Sequence, residues 1–136
     1  MKVVGLDGRQ YTWNLADKGS RATASAPHKR ARKLLAELFG SEPRLEEVRP
    51  PGSGQLFFDF FLPRSGIVVE VNGEQHDRYS SFFHKSRLGF LQSTARDNKK
   101  QSFCEANMLR LVILPEKETD EQWRRRLTGG GEATDN

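Results

Sequence analysis

The chain has 136 residues, enough for one domain with a modest hydrophobic core and too few for two. Its formal net charge is +4, and its one cysteine, Cys104, excludes an intramolecular disulfide framework and is compatible with a reducing cytosol. We find no apolar run near the roughly 20 residues that span a bilayer, and no apolar signal-peptide core. These features predict a soluble cytoplasmic protein with no membrane partner.

The N-terminal residues 1–24 predict a small hairpin followed by a basic connector. The turn is expected at Asp7-Gly8, a favourable dipeptide for a tight hairpin. From Lys18 to Lys33 the chain carries six basic residues and no acid, a pattern typical of a polyanion binder. We predict that Arg21, Lys29, Arg30 and Arg32 contact a DNA backbone, although a solvated charged face is the alternative.

A helix followed by a strand is predicted next. Apolar residues between Ser25 and Gly40 recur at i, i+3, i+4, i+7 and i+8, the spacing of one helix face, with Ser25 as N-cap and Gly40 as C-terminal stop. Residues Leu45 to Arg49 form a predicted first strand, set off by Pro50-Pro51-Gly52.

Two aromatic and β-branched segments, Leu56 to Pro63 and Ile67 to Gly73, predict an antiparallel hairpin. A turn centred on Arg64 and Ser65 places Asp59 opposite Glu70, with Cβ atoms about 5 Å apart. Because like charges at that spacing destabilise a hairpin, we predict that Mg²⁺ or Mn²⁺ binds there. Asn72 falls on the face of Glu70. The alternative is an ordinary edge hairpin with two solvent-facing acids.

The C-terminal half predicts a helix from Ser86 to Asn107, an interior parallel strand from Met108 to Pro115, and a helix from Thr119 to Leu127. Leu88, Leu91, Ala95, Phe103 and Ala106 are the predicted apolar side of the longer helix. We divide the chain into a hairpin and connector (1–24), an α/β domain (25–127) and a disordered tail (128–136).

The order helix, three strands, helix, strand, with Asp59 on the second strand and Glu70-x-Asn72 on the third, resembles the PD-(D/E)XK nuclease superfamily. The string FFDFFLPRSGIVVEVNGEQHD, with the later RDNKKQSFCEAN and LRLVIL, is similar to small phage-encoded endonucleases. These are related to very-short-patch repair endonucleases and freestanding homing endonucleases. The similarity covers roughly Ser25 to Trp123. It implies a restriction-endonuclease-like core, a mixed four-stranded sheet flanked by helices, in which Asp59 and Glu70 bind the metal.

The chain departs from the superfamily pattern at Asn72, where the superfamily has a lysine. Relatives with this replacement often supply the base from the following helix, and Lys100, three residues after Asp97, matches their Asp-x-x-Lys. Lys99 is an alternative, because it lies nearer the predicted apolar side of that helix. His76 matches a histidine of the very-short-patch-like relatives, and an imidazole there could handle a proton near neutral pH.

The sequence therefore predicts a metal-dependent endonuclease of double-stranded DNA, with Asp59, Glu70, Asn72, His76 and Lys100 in the active site. We also expect that the protein can form a homodimer. The expected host is a phage-infected bacterium. The alternatives are a catalytically silent DNA-binding protein with a nuclease fold and a nuclease of branched DNA or RNA. A zinc site built from the three histidines and Cys104 fits by ligand type, but no pair has zinc-finger spacing.

Overall fold

The fold is given by a computed structural model that describes residues 1–15, 25–54, 56–72 and 98–129. The strands are β1 (Lys2–Val4), β2 (Gln10–Thr12), β3 (Leu45–Val48), β4 (Phe58–Leu62), β5 (Ile67–Asn72) and β6 (Arg110–Pro115). The helices are α1 (Ala26–Phe39), α2 (residues 98–106) and α3 (Asp120–Thr128). In the described residues the protein is thus α/β, as predicted.

The central element is a mixed sheet of four strands in the order β3-β4-β5-β6. Strands β3, β4 and β5 are antiparallel neighbours, and β6 runs parallel to β5. The parallel pairing of the last strand is confirmed. Its predicted interior position is wrong, because β6 lies at an edge of the sheet within the described residues. Its alternating burial, rather than burial on both faces, fits that edge position.

Helices α1 and α3 cover one face of the sheet. Side chains of both helices and of β4, β5 and β6 form the first core cluster, which includes Leu35, Phe60, Val69, Leu114 and Trp123. The helix ends follow local chemistry. The Ser25 side chain caps α1 by accepting from the backbone N–H of His28, and the Thr119 side chain caps α3 by accepting from that of Gln122.

The N-terminal hairpin β1-β2 and helix α2 pack with the opposite face. The second core cluster includes Trp13 from the segment after β2, Phe61 and Val68 from the sheet, and Phe103 and Cys104 from α2. Trp13 stacks on Phe61 with ring centroids 4.8 Å apart. The predicted hairpin and its turn are confirmed, with Gly8 at a φ of 82° that favours glycine.

No helix in the described parts of the chain is long and apolar enough to cross a membrane. Several sequence predictions fall outside the described residues. These are the basic connector, the start of the helix predicted from Ser86, and the tail beyond residue 129.

Candidate functional site

Asp59 and Glu70, here called the acidic pair, lie side by side where the β4-β5 ladder ends. The predicted register is confirmed, because Phe60 pairs with Val69 and the next residues outward are Asp59 and Glu70. The backbone N–H of Asp59 donates to Glu70 Oε2 (3.0 Å), and the backbone N–H of Val71 donates to Asp59 Oδ2 (2.8 Å). The two carboxylates therefore accept hydrogen bonds from backbone donors and are held close together.

Helix α2 brings a lysine to this pair. Lys100 Nζ lies 2.6 Å from Glu70 Oε1, and the two side chains are only 16% and 12% exposed. Lys99, the alternative from the sequence, is exposed. Of the two neighbouring lysines, Lys100 is thus the one placed at the acidic pair.

The buried side of α2 agrees only in part with the predicted apolar side, because Phe103 is buried as expected and Ala106 is not, while Leu88, Leu91 and Ala95 lie outside the described residues. Ala106, expected to be buried, is exposed, whereas Phe103 and Cys104 are buried and Lys100 and Asn107 are half-buried on the same side. These two polar residues face inward because each has a partner there. Lys100 contacts Glu70, and Asn107 Oδ1 and Nδ2 bond the backbone N–H and C=O of Val4. A helical wheel weighted by hydrophobicity alone places polar residues outside, which explains the error.

The charges at the acidic pair favour the binding of a cation. Burial, together with the nearby negative charge of Asp59, raises the pKa of Glu70 to about 7, even though Lys100 opposes that shift. Among the described residues, two carboxylates and the Lys100 side chain meet here. A divalent cation would reduce the repulsion between the two carboxylates.

The donor set fits a hard, oxygen-preferring metal ion. Within the described residues there is no cluster of three or more His, Cys, Asp and Glu that could hold a metal. Among the described residues, the acidic pair would supply the protein carboxylates, and water and substrate would add further oxygen ligands. Mg²⁺ is commonly bound in this way, through one or two carboxylates and a phosphate.

A cavity of about 310 Å³ adjoins the acidic pair. Its polar lining comes from Glu70, Asn72, Asn98, Lys100 and Gln101. Leu111 and Ile113 of β6 form its apolar wall. The predicted position of Asn72 on the face of Glu70 agrees with this lining, whereas Asn98 and Gln101 were not singled out. Asn98 and Gln101 are three residues apart, about one helical turn, and lie on either side of Lys100 in the sequence. This spacing could have placed them on the same side of α2 near Lys100.

A second polar cluster lies on the α1 side of the sheet, and sequence reasoning missed it. His28 Nε2 is 3.0 Å from Glu46 Oε1, and the Arg32 guanidinium also bonds the Glu46 carboxylate. Burial tends to raise the pKa of Glu46, but its bonds with Arg32 and His28 outweigh burial and lower that pKa. His28 also stacks on Phe60. Its spacing from Ala31 and Leu35 on the apolar face of α1 could have revealed this buried role.

The cluster bears on the zinc alternative. His28 packs on Phe60 of the first core cluster, whereas Cys104 belongs to the second core cluster on the opposite face. Burial raises the pKa of the Cys104 thiol to about 12, which disfavours the thiolate that binds zinc. The structure does not bring these two ligands together, and His84 lies outside the described residues.

The predicted DNA-contacting residues divide into different environments. Arg30 bonds Asp120 (2.6 Å) and lies over the Trp123 ring, 3.7 Å from its centroid. Arg32 is paired with Glu46, as described above. Lys29 is exposed, whereas Arg21 and the predicted catalytic His76 lie outside the described residues. Intramolecular partners thus occupy Arg30 and Arg32, which argues against their predicted role as open phosphate contacts.

Comparison with known proteins yields two viral relatives. The chain is 31% identical over 101 residues to Uncharacterized protein 033L of Invertebrate iridescent virus 3, covering 71% of this chain and 52% of that protein. It is 33% identical over 64 residues to Uncharacterized protein 307L of Invertebrate iridescent virus 6, covering 47% and 32%. The chain thus spans about half of one relative and a third of the other.

These relatives carry no functional term in their names, so they assign no activity. No protein-family model matches the chain, and no solved structure gives a significant match. The viral sources are named for invertebrate hosts, so the bacterial host expected from the sequence stays a prediction.

Proposed function

We propose that the protein is a divalent-metal-dependent endonuclease that hydrolyses DNA phosphodiester bonds. One observation carries the proposal: two adjacent carboxylates, Asp59 of β4 and Glu70 of β5, lie together, and the ammonium of Lys100 contacts Glu70. Two adjacent half-buried carboxylates repel each other, and among the described residues it is Lys100 that offsets part of this repulsion. A carboxylate with a raised pKa beside a cavity, as Glu70 is here, is a recognised mark of functional sites.

The order of elements gives secondary support. Helix α1, the β3-β4-β5 meander, helix α2 and the parallel strand β6 follow one another as in the PD-(D/E)XK core. We therefore propose membership of that superfamily. The replacement of its lysine by Asn72 is offset by Lys100, which reaches Glu70 from α2 instead.

The proposed roles follow from position. Asp59 and Glu70 would hold Mg²⁺ or Mn²⁺, which when bound supplies Lewis-acid chemistry and a source of hydroxide near neutral pH. The Lys100 ammonium would offset the charge that develops on the scissile phosphate. The Asn72 carboxamide, in the same cavity, would orient water or the substrate. His76 stays a sequence prediction for proton transfer.

A catalytically silent DNA-binding protein is the second candidate, and Asn72 in place of the expected lysine is the observation that favours it. A silent protein would bind DNA with the salt dependence of phosphate contacts but would not cleave it. Cleavage is therefore the discriminating measurement.

The test is incubation of the protein with supercoiled plasmid, linear duplex, single-stranded and branched DNA, and RNA, in Mg²⁺ or in EDTA. Asp59→Asn and Glu70→Gln keep the size of the side chains and should abolish cleavage. Lys100→Ala should slow it by about 10²-fold or more, as expected for a lost electrostatic stabiliser, whereas the exposed neighbour Lys99→Ala serves as the matched control.

Activity that survives in EDTA, or in both carboxylate variants, would refute the proposal. DNA binding without cleavage under every metal condition would favour the silent protein. The ratio of nicked to linear plasmid, together with the mass of the protein in solution, would test whether a homodimer makes double-strand breaks.

A further inference from the structure

The cavity beside the acidic pair has two polar lining residues, Asn98 and Gln101, to which the proposed cleavage chemistry assigns no role. Three of its polar side chains are carboxamides, those of Asn72, Asn98 and Gln101. A carboxamide carries no charge, so it adds little to the attraction of a phosphate. It offers both a hydrogen-bond donor and an acceptor, which is the pattern that matches the edge of a nucleobase. In Gln101, Nε2 donates to Glu105 Oε2 (3.0 Å), so its carbonyl oxygen and the second N–H are the groups that would meet a base.

The size of the cavity and its two aliphatic lining residues also favour a nucleobase as its ligand. Its volume of about 310 Å³ far exceeds the share of one water molecule, about 30 Å³, and lies at the lower end of the range for ligand pockets. Leu111 and Ile113 are half-buried and line it with aliphatic groups. A cavity lined by aliphatic groups and by carboxamides suits a flat ring with a polar edge.

Glu70 and Lys100 belong to both the cavity and the acidic pair. A base held in the cavity would therefore belong to a nucleotide close to the phosphate at the acidic pair. In a paired duplex, a base reaches such a pocket only after unstacking and unpairing, which costs a few kcal/mol. The cost is least when the base is already unpaired.

We propose that this cavity receives a single unpaired nucleobase next to the phosphate that is cleaved, so that the preferred substrate is DNA with an unpaired nucleotide. This inference rests on the proposed nuclease function and specifies its substrate class. Asn98 and Gln101 recognise the polar edge of the base, and Leu111 and Ile113 contact its ring. Asn72, on β5, lines the same cavity as Glu70.

The first test measures binding in EDTA, where cleavage plays no part. A duplex oligonucleotide with one central unpaired adenine is compared with the same duplex fully paired and with a duplex whose unpaired position is abasic. We expect the adenine bulge to bind about 10-fold more tightly than either control, the scale of roughly one well-made base contact. Equal affinity for the adenine and abasic bulges would overturn the proposal, because a preference for flexible DNA alone would then explain the binding.

The second test uses variants that leave the core intact. Asn98→Ala and Gln101→Ala alter exposed positions of α2 and should remove most of the preference for the adenine bulge. Gln10→Ala deletes an exposed carboxamide of β2, outside the cavity lining, and should keep the preference. Thermal unfolding of each variant checks that the fold is retained. A full preference in the Asn98→Ala, Gln101→Ala double variant would overturn the proposal.

Cleavage assays in Mg²⁺ separate this inference from the function on which it rests. Metal-dependent cleavage of paired and bulged DNA at equal rates would leave the nuclease and remove the base pocket. Selective binding of the adenine bulge without any cleavage would keep the pocket and remove the nuclease.

Discussion

Glu70 takes part in interactions that shift its pKa in opposite directions. Its carboxylate accepts from Lys100 and from the backbone N–H of Asp59, yet it is buried beside a second acid. Burial, together with the charge of Asp59, raises its pKa from 4.5 to about 7. The folded protein therefore binds a proton at Glu70 more tightly than the unfolded chain does.

This shift predicts how stability depends on pH in metal-free protein. The proton favours the folded state, so the contribution of Glu70 is full below about pH 4.5 and is lost as the pH rises through about 7. The loss amounts to about 3 kcal/mol, at about 1.36 kcal/mol per pKa unit. Glu70→Gln cannot titrate, so its free energy of unfolding should exceed that of wild type progressively across this interval.

The measurement is urea unfolding of both proteins in EDTA, at several values between about pH 4 and pH 8. The difference between the two curves isolates Glu70 from the other titrating groups. Parallel curves would contradict the prediction. Added Mg²⁺ should stabilise wild type more at the upper end of the range, because the cation competes with the proton for the carboxylate.

At the scale of single residues, the sequence correctly predicted the positions that depend on pairing within one hairpin. A turn centred between Arg64 and Ser65 fixes the register of the hairpin, and the register brings Asp59 to Glu70. The placement of Lys100 rather than Lys99 at the acidic pair and the pairing of His28 with Glu46 depend on contacts between elements distant in sequence. A hydrophobicity pattern does not contain such contacts. On α2 it placed Phe103 correctly on the buried side and Ala106 wrongly.

The basic residues of helix α1 fall into two groups, arginines with intramolecular partners and exposed lysines. Arg30 is held against Trp123 and Asp120 of α3, and Arg32 against Glu46 of β3. Lys29 and Lys33 lie one turn apart and are both exposed. The basic run from Lys18 to Lys33, uniform in the sequence, thus contains structural arginines and exposed lysines.

The division predicts different effects on DNA affinity. Lys29→Gln with Lys33→Gln should reduce the slope of log K against log salt by about 2, since each lost phosphate contact removes about 0.9. Arg30→Ala should leave that slope unchanged and lower the free energy of unfolding by about 1 to 2 kcal/mol through lost packing and cation–π contact.

Salt titrations of binding to a fully paired duplex, with urea unfolding of the same variants, test both statements. A slope that depends on Arg30 and not on the lysines would show that the contacts of Arg30 open when DNA binds.

At the scale of the whole molecule, the N-terminal hairpin is packed into the fold. Val3 and Trp13 belong to the second core cluster, and Asn107 at the end of α2 bonds both backbone groups of Val4. Sequence reasoning set residues 1–24 apart because a Gly- and Lys-containing stretch follows the hairpin. The composition of that stretch indicates a boundary in the chain, but it does not indicate which surface of the sheet the hairpin covers.

Removal of the Asn107 side chain should therefore weaken the whole molecule. Asn107→Ala leaves the backbone N–H of Val4 without this acceptor and should lower the free energy of unfolding by about 1 to 3 kcal/mol. Glu105→Ala, at an exposed position of the same helix, is the control. Urea unfolding followed by tryptophan fluorescence should show one transition that moves as a unit. A separate early transition in Asn107→Ala would mean that the hairpin unfolds on its own.

The backbone bonds of the acidic pair make the site observable by nuclear magnetic resonance. The amide protons of Asp59 and Val71 each point at a carboxylate oxygen of the other strand's acid, so their chemical shifts should respond to the charge on those oxygens. In a protein labelled with nitrogen-15, these two peaks would act as native sensors of protons, cations and phosphates. Occupancy of the site could then be followed with unmodified DNA, even in a variant that cleaves nothing.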